Sequence, residues 1–187
     1  MVRIVTIEKN EKLKNAICYF AQEHPKKKGA PLYQTYLYKF LAFLDFGSTE
    51  ERGKPIFGLT YDALEEGPVP MDIYNKRDEL KNETFEFVKI DENKYIIKPS
   101  KQADLRCFSE YEIRKMNELL DKYSKRGIRT RDVNDASHLI RAWKATERNR
   151  TISYDDMFEN LQNKSEEELT PEEETYLIYK SIIKTIS

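Results

Sequence analysis

Apolar positions recur at helical spacing early in the chain. Leu13, Ile17, Phe20 and Ala21 lie three to four residues apart, which predicts a helix over about Asn10 to His24 that buries one face and ends at Pro25. Beyond the polar run Lys26–Lys28, the stretch Tyr33 to Phe46 is apolar nearly all round. Tyr36, Leu37, Phe40, Leu41, Phe43 and Leu44 cover more than one face, as expected of the central helix of a core. Gly47, Gly53 and Pro55 mark a loop, after which Phe57, Leu59, Tyr61 and Ala63 alternate as a short extended segment. Gly67-Pro68-Val69-Pro70 stops that segment and leads into a short helix over Met71 to Leu80.

The period then changes. Phe85 and Phe87 alternate against Tyr95 and Ile97 with Asp91-Glu92-Asn93 between them, the pattern of a β-hairpin with a polar turn. An isolated hairpin is marginal, so this one must pack on helices or pair with the Leu59 segment. Ser109 with Glu112 forms a capping box, and Ile113, Met116, Leu119, Leu120 and Tyr123 carry an amphipathic helix toward Gly127. Thr130 is positioned to cap a helix through Val133, Ala136, His138, Ile140 and Trp143, with Trp143 as its anchor on the core. Ser153 and Asp156 open a short helix through Met157, Phe158 and Leu161. Thr170-Pro171-Glu172-Glu173 starts a final one that presents Tyr176, Leu177, Tyr179, Ile182 and Ile183. The fold class expected is α+β and predominantly helical: a helical core with one small antiparallel sheet built from about residues 57–63 and 85–98.

Composition narrows the function classes. The 187 residues suit one domain with a small appendage. No apolar run approaches the roughly 18 residues of a membrane span, and Met1 to Asn10 lacks the features of a secretory signal, so a cytoplasmic protein is expected. The 32 bases and 33 acids nearly cancel, whereas a nucleic-acid binder is usually a basic domain. Two basic stretches stand apart from that balance: Lys26–Lys28, and Lys122 with Lys125, Arg126, Arg129 and Arg131. Both fall at helix ends or loops, where complementing a helix dipole is their ordinary role. Contact with DNA would need both patches on one face.

Candidate chemistry is sparse. The two Cys and two His stand at 18, 107, 24 and 138 with no ligand-like spacing, so no metal site is expected. No Gly-rich phosphate loop is present, so no cofactor is expected either. A Cys107–His138 dyad is the one arrangement that would support a hydrolase, and no orienting signature accompanies it. More distinctive is the run from Tyr61 to Pro70, where a glycine and two prolines fix the backbone before any partner arrives. It reads either as a tight connection or as a preorganised ledge, edged by Tyr61, Val69 and Tyr74, for a protein partner.

The residues Gly53 to Tyr74, preceded by the helix Thr35 to Phe46 and followed by Ser137, His138 and Trp143, resemble the Panacea domain, also called the SocA-like or DUF4065 family. The pattern falls on Lys39 to Phe46, Gly53 to Ile56, Tyr61 to Ala63, Gly67 to Pro70, and the Ser-His-x-x-x-x-Trp element. Where many members have Glu and Pro before that Trp, this chain has Ile140 and Ala142. The resemblance implies a Panacea domain over about residues 1–150, with 151–187 a helical extension packed on it. It further implies a non-enzymatic antitoxin, often phage-associated, that neutralises a nearby-encoded toxin by direct contact. Candidate partner-binding residues are Tyr61, Gly67, Pro68, Val69, Pro70, Tyr74, His138 and Trp143, and a homodimer is left open. The alternatives are a stand-alone proteolysis adaptor or phage accessory protein, then the Cys/His hydrolase, then a DNA-binding autoregulator.

Overall fold

The computed structural model describes residues 10–186, so the N-terminal stretch expected to hold no secretory signal lies outside the described residues but for Asn10. The order along the chain is α1 (Glu11–Lys28), β1 (Leu32–Tyr33), α2 (Gln34–Arg52), β2 (Tyr61–Leu64), β3 (Gly67–Pro70), α3 (Met71–Lys76), β4 (Phe85–Asp91), β5 (Lys94–Pro99), α4 (Glu110–Tyr123), α5 (Thr130–Ser137), α6 (Arg141–Ala145) and α7 (Pro171–Ile186). The protein is α+β and predominantly helical, as the periodicity predicts.

α2 is the axis of the core. Leu37, Phe40, Leu41 and Ala42 are fully buried, and α4, α5, α7 and β3 all pack on this helix. Phe40 meets Phe20 of α1 at 4.9 Å between ring centroids, and Phe43 stacks on Tyr123 of α4 at 5.3 Å, both within the range of favourable aromatic pairs. β4 and β5 form the expected hairpin with Phe87 opposite Ile97, and β1 adds to it as an edge, giving an antiparallel sheet of order β1-β5-β4.

Several expectations are corrected. The 57–63 segment does not join the 85–98 hairpin. β2 instead pairs with β3 in a separate two-stranded sheet, Tyr61 opposite Pro70 and Leu64 opposite Gly67. Gly67-Pro68-Val69-Pro70 is thus a strand, and its prolines, which have no N–H to offer, suit a ribbon with few ladder bonds. Residues 57–59 alternate in burial but are not a strand, because all three of their amides point at Asp45. α1 runs past Pro25 for one more turn, since a proline near a helix end forfeits one backbone bond without stopping the chain; Gly29, at φ 73°, ends it. Gly47 lies inside α2, which continues to Arg52, and the helix from Met71 ends at Lys76.

The helix predicted from Thr130 to Trp143 is two, α5 and α6, separated by a tight turn at His138-Leu139-Ile140 and capped at Arg129, whose amide donates to Asp132. The segment after Ser153 is a series of 3-10 turns rather than one helix. α4 and α7 begin where their caps predict, at Ser109 with Glu112 and at Thr170 with Glu173.

Candidate functional site

β3 packs on both α2 and α5, and the chemistry around it comes from an aspartate and a lysine that α2 buries. Asp45 is fully buried. Its carboxylate accepts from the amides of Phe57 at 2.6 Å, Gly58 at 3.2 Å and Leu59 at 3.1 Å, and from the Tyr61 hydroxyl at 3.0 Å. The Tyr154 hydroxyl divides its proton between Asp45, at 3.2 Å, and the Leu59 carbonyl, at 2.8 Å. Burial pushes the carboxyl above its ordinary range against the pull of these donors. Asp45 is therefore a pin: it replaces a ladder for residues 57–59 and ties the segment after 150 to the core.

Six residues earlier on the same helix, Lys39 is 1% exposed and donates to the Pro68 carbonyl of β3 at 3.2 Å. Burial pulls its ammonium down to about 7, with Glu66 opposing the fall. Gly67 takes φ 104°, and a Cβ there would collide with Ser137 Oγ and stand 3.2 Å from Lys39 Nζ. Glycine is required at this point both for the backbone angle and for the approach of α5. Ser137 Oγ in turn donates to the Asn134 carbonyl, and the Asn134 amide reaches the Glu66 carboxylate in the β2–β3 turn.

The predicted partner-binding residues divide into two groups. Tyr61, Gly67, Pro68, Val69 and Pro70 are buried, the Tyr61 hydroxyl committed to Asp45. Tyr74, His138 and Trp143 are half-buried. His138 and Trp143 stack face to face at 4.2 Å with 12° between the rings, and the chain turns between α5 and α6 around this pair. Leu139, at the turn, is 73% exposed, the most exposed large hydrophobic residue among those described. In the same segment, residues 134–143, His138 Nε2, Trp143 Nε1 and Asn134 Oδ1 are buried without a hydrogen-bond partner among the described residues.

The other candidates stand elsewhere. The Cys107 thiol donates to the Asp104 carbonyl, and burial pushes it up, the opposite of what activates a nucleophilic thiolate. Cys18 is buried and donates to the Lys101 carbonyl. His24 is buried against Tyr36 and Phe40 with Nδ1 2.7 Å from Ser124 Oγ; burial, then nearby Lys28, lowers it to about 4. Among the described residues no group of three or more His, Cys, Asp and Glu is placed to hold a metal, and no helix is long and apolar enough to cross a membrane. An open groove of about 570 Å³ runs beside α7, walled by Tyr154, Tyr176, Tyr179 and Ile183. Sequence reasoning missed Asp45 and Lys39, although a charge inside an all-round apolar helix was a signal for both.

Comparison with known families gives one finding: residues 37–144 match the model described as antitoxin SocA-like, Panacea domain. The matched span runs from the core face of α2 to the Trp143 turn and contains Asp45, Lys39, β2, β3 and α5. No curated protein and no solved structure matches the chain.

Proposed function

The chain belongs to the antitoxin SocA-like, Panacea domain family, and from that premise we propose that it acts as a non-catalytic antitoxin, neutralising a toxin encoded nearby by direct binding in the cytoplasm. The observation that carries the reading to a place on the molecule is the α5–α6 turn. Leu139 stands exposed at a turn braced by the His138–Trp143 stack, at the end of a helix that packs on β3. A single exposed leucine is ordinary on a protein surface; what favours this one is its seat in the chain between the two stacked rings of the family pattern, His138 and Trp143, where a partner that covers it meets a rigid surface. On this reading the buried ledge residues Tyr61 and Gly67 to Pro70 do not themselves touch the toxin. They hold α5 in position, so that little order is lost when the partner docks.

The test is co-expression with the neighbouring reading frame. That frame should be toxic alone and harmless beside this protein, and Leu139→Asp should abolish the rescue while leaving the melting temperature unchanged. A neighbouring frame that is harmless on its own, or rescue undiminished by Leu139→Asp, would overturn the proposal.

A further inference from the structure

The two basic stretches that sequence reading set apart are brought together by the fold. Lys26–Lys28 form the last turn of α1, and the α4–α5 loop lies against them. The Lys28 ammonium donates to the Lys125 carbonyl at 3.0 Å and to the Ile128 carbonyl, and the Arg126 guanidinium lies over Gly29. Arg129 and Arg131 continue the surface into the first turn of α5. This corner gathers seven bases, Lys26 to Lys28, Lys125, Arg126, Arg129 and Arg131, against the four acids Glu23, Asp121, Asp132 and Asp135, a local charge of +3 in a chain whose net charge is −1.

The helix-dipole role that fits Lys26–Lys28 at the end of α1 does not extend to Arg129 and Arg131, which stand at the N-terminal end of α5. Four of the bases pair with the four acids: Lys26 with Glu23, Lys27 with Asp121, Arg129 with Asp132 and Arg131 with Asp135. Such exposed pairs are worth little and yield readily to a competing anion. Lys125 and Arg126 are exposed and make no ion pair among the described residues.

We infer that the α1–α5 corner binds the phosphate backbone of a nucleic acid. The composition of the surface favours this ligand over an acidic protein. The core of a protein interface is apolar and aromatic and poor in lysine. The exposed large hydrophobics among the described residues are Ile90, Leu139, Leu177, Ile178 and Ile182, and none lies in this corner. A surface of Lys and Arg without an apolar centre matches contacts that neutralise phosphates and release counterions, with little reading of sequence.

The experiment is fluorescence anisotropy of the full chain titrated against a labelled DNA duplex over a range of salt. Neutralising about three phosphates gives a log–log salt slope of about −2.7, or roughly a fortyfold loss of affinity between about 50 and 200 mM salt. Lys125→Glu with Arg126→Glu, two exposed changes that break no ion pair, should remove most of the binding and flatten the slope. Lys98→Glu, an exposed change of the same sign on β5, should leave both nearly intact, and so should Leu139→Asp, which keeps this test separate from that of the antitoxin role. The inference is overturned if the parent protein shows no salt-sensitive binding, or if the double variant binds as tightly as the parent. It is also overturned if Lys98→Glu is equally damaging, or if the double variant loses toxin neutralisation while its DNA affinity stays unchanged.

Discussion

Asp45 and Lys39 lie on the same helix, both buried, and the protein treats them in opposite ways. Asp45 makes no ion pair among the described residues but is surrounded by three amides and two tyrosine hydroxyls. Lys39 has three protons to donate and, among the described residues, one hydrogen-bonded acceptor, the Pro68 carbonyl. The first site uses a charge to organise backbone that has no ladder. The second leaves an amine short of acceptors under a strand, where burial pulls it down to about 7 and toward its neutral form. Burial of a charge is thus not one structural device: its worth depends on how many partners the surrounding backbone supplies.

The sharpest way to break this comparison is Asp45→Ala. It strands the amides of residues 57–59 and the Tyr61 hydroxyl, and should cost about 4 kcal/mol in urea unfolding. A loss near 1 kcal/mol would show that water replaces the carboxylate and that Asp45 is no pin.

His24 supplies a third buried titratable group. Its native pKa of about 4 lies below the ordinary 6.5, so the unfolded chain takes up a proton that the native ring refuses. Stability should therefore fall as pH drops from about 6.5 to about 4, by about 3 kcal/mol at the end of that window. His24→Gln should flatten this part of the profile, and a slope that survives the substitution would assign it to other groups.

Gly67→Ala probes the strand above Lys39. The positive φ and the collision with Ser137 Oγ should cost about 2 kcal/mol in thermal unfolding, and more than Gly47→Ala, where a Cβ meets open space. Equal effects at the two glycines would remove the close approach of α5 as the reason for Gly67.

The smallest effect, and the one of opposite sign, is expected of Lys39→Met. Replacing an under-satisfied amine by an apolar chain of similar length should be neutral or stabilising by about 1 kcal/mol. In the parent, stability should rise with pH from about 7 toward 10.5, because the unfolded lysine gives up its proton only at the upper end. Lys39→Met should lose that rise. A substitution that unfolds the protein would place Lys39 beside Asp45 as a required pin and dissolve the contrast.

How much of this was legible in the sequence follows from the range over which each signal acts. α4 and α7 were readable because a capping box and a 3.6-residue period are complete within one segment. The β4–β5 hairpin was readable because its turn is local. Tyr61, Gly67 to Pro70, Tyr74, His138 and Trp143 were picked out by residue type and resemblance. Type and resemblance could not say that the first five are buried and the last three half-exposed, because burial depends on where α2 and α5 fall. Leu139, between two motif residues, carried no signal: an exposed leucine and a core leucine have the same letter.

By itself, the sequence determined the fold class, the helical identity of the core, several helix ends and the family pattern, since each rests on neighbours within a few residues. Only the tertiary structure decided that β2 pairs with β3 rather than with the hairpin, and that residues 57–59 satisfy their amides on Asp45. It also decided that α5 and α6 are separate helices, and that two distant basic stretches share one corner. Those outcomes depend on which buried backbone groups find partners across the fold, and hydrogen-bond satisfaction between segments leaves no periodic trace in either one.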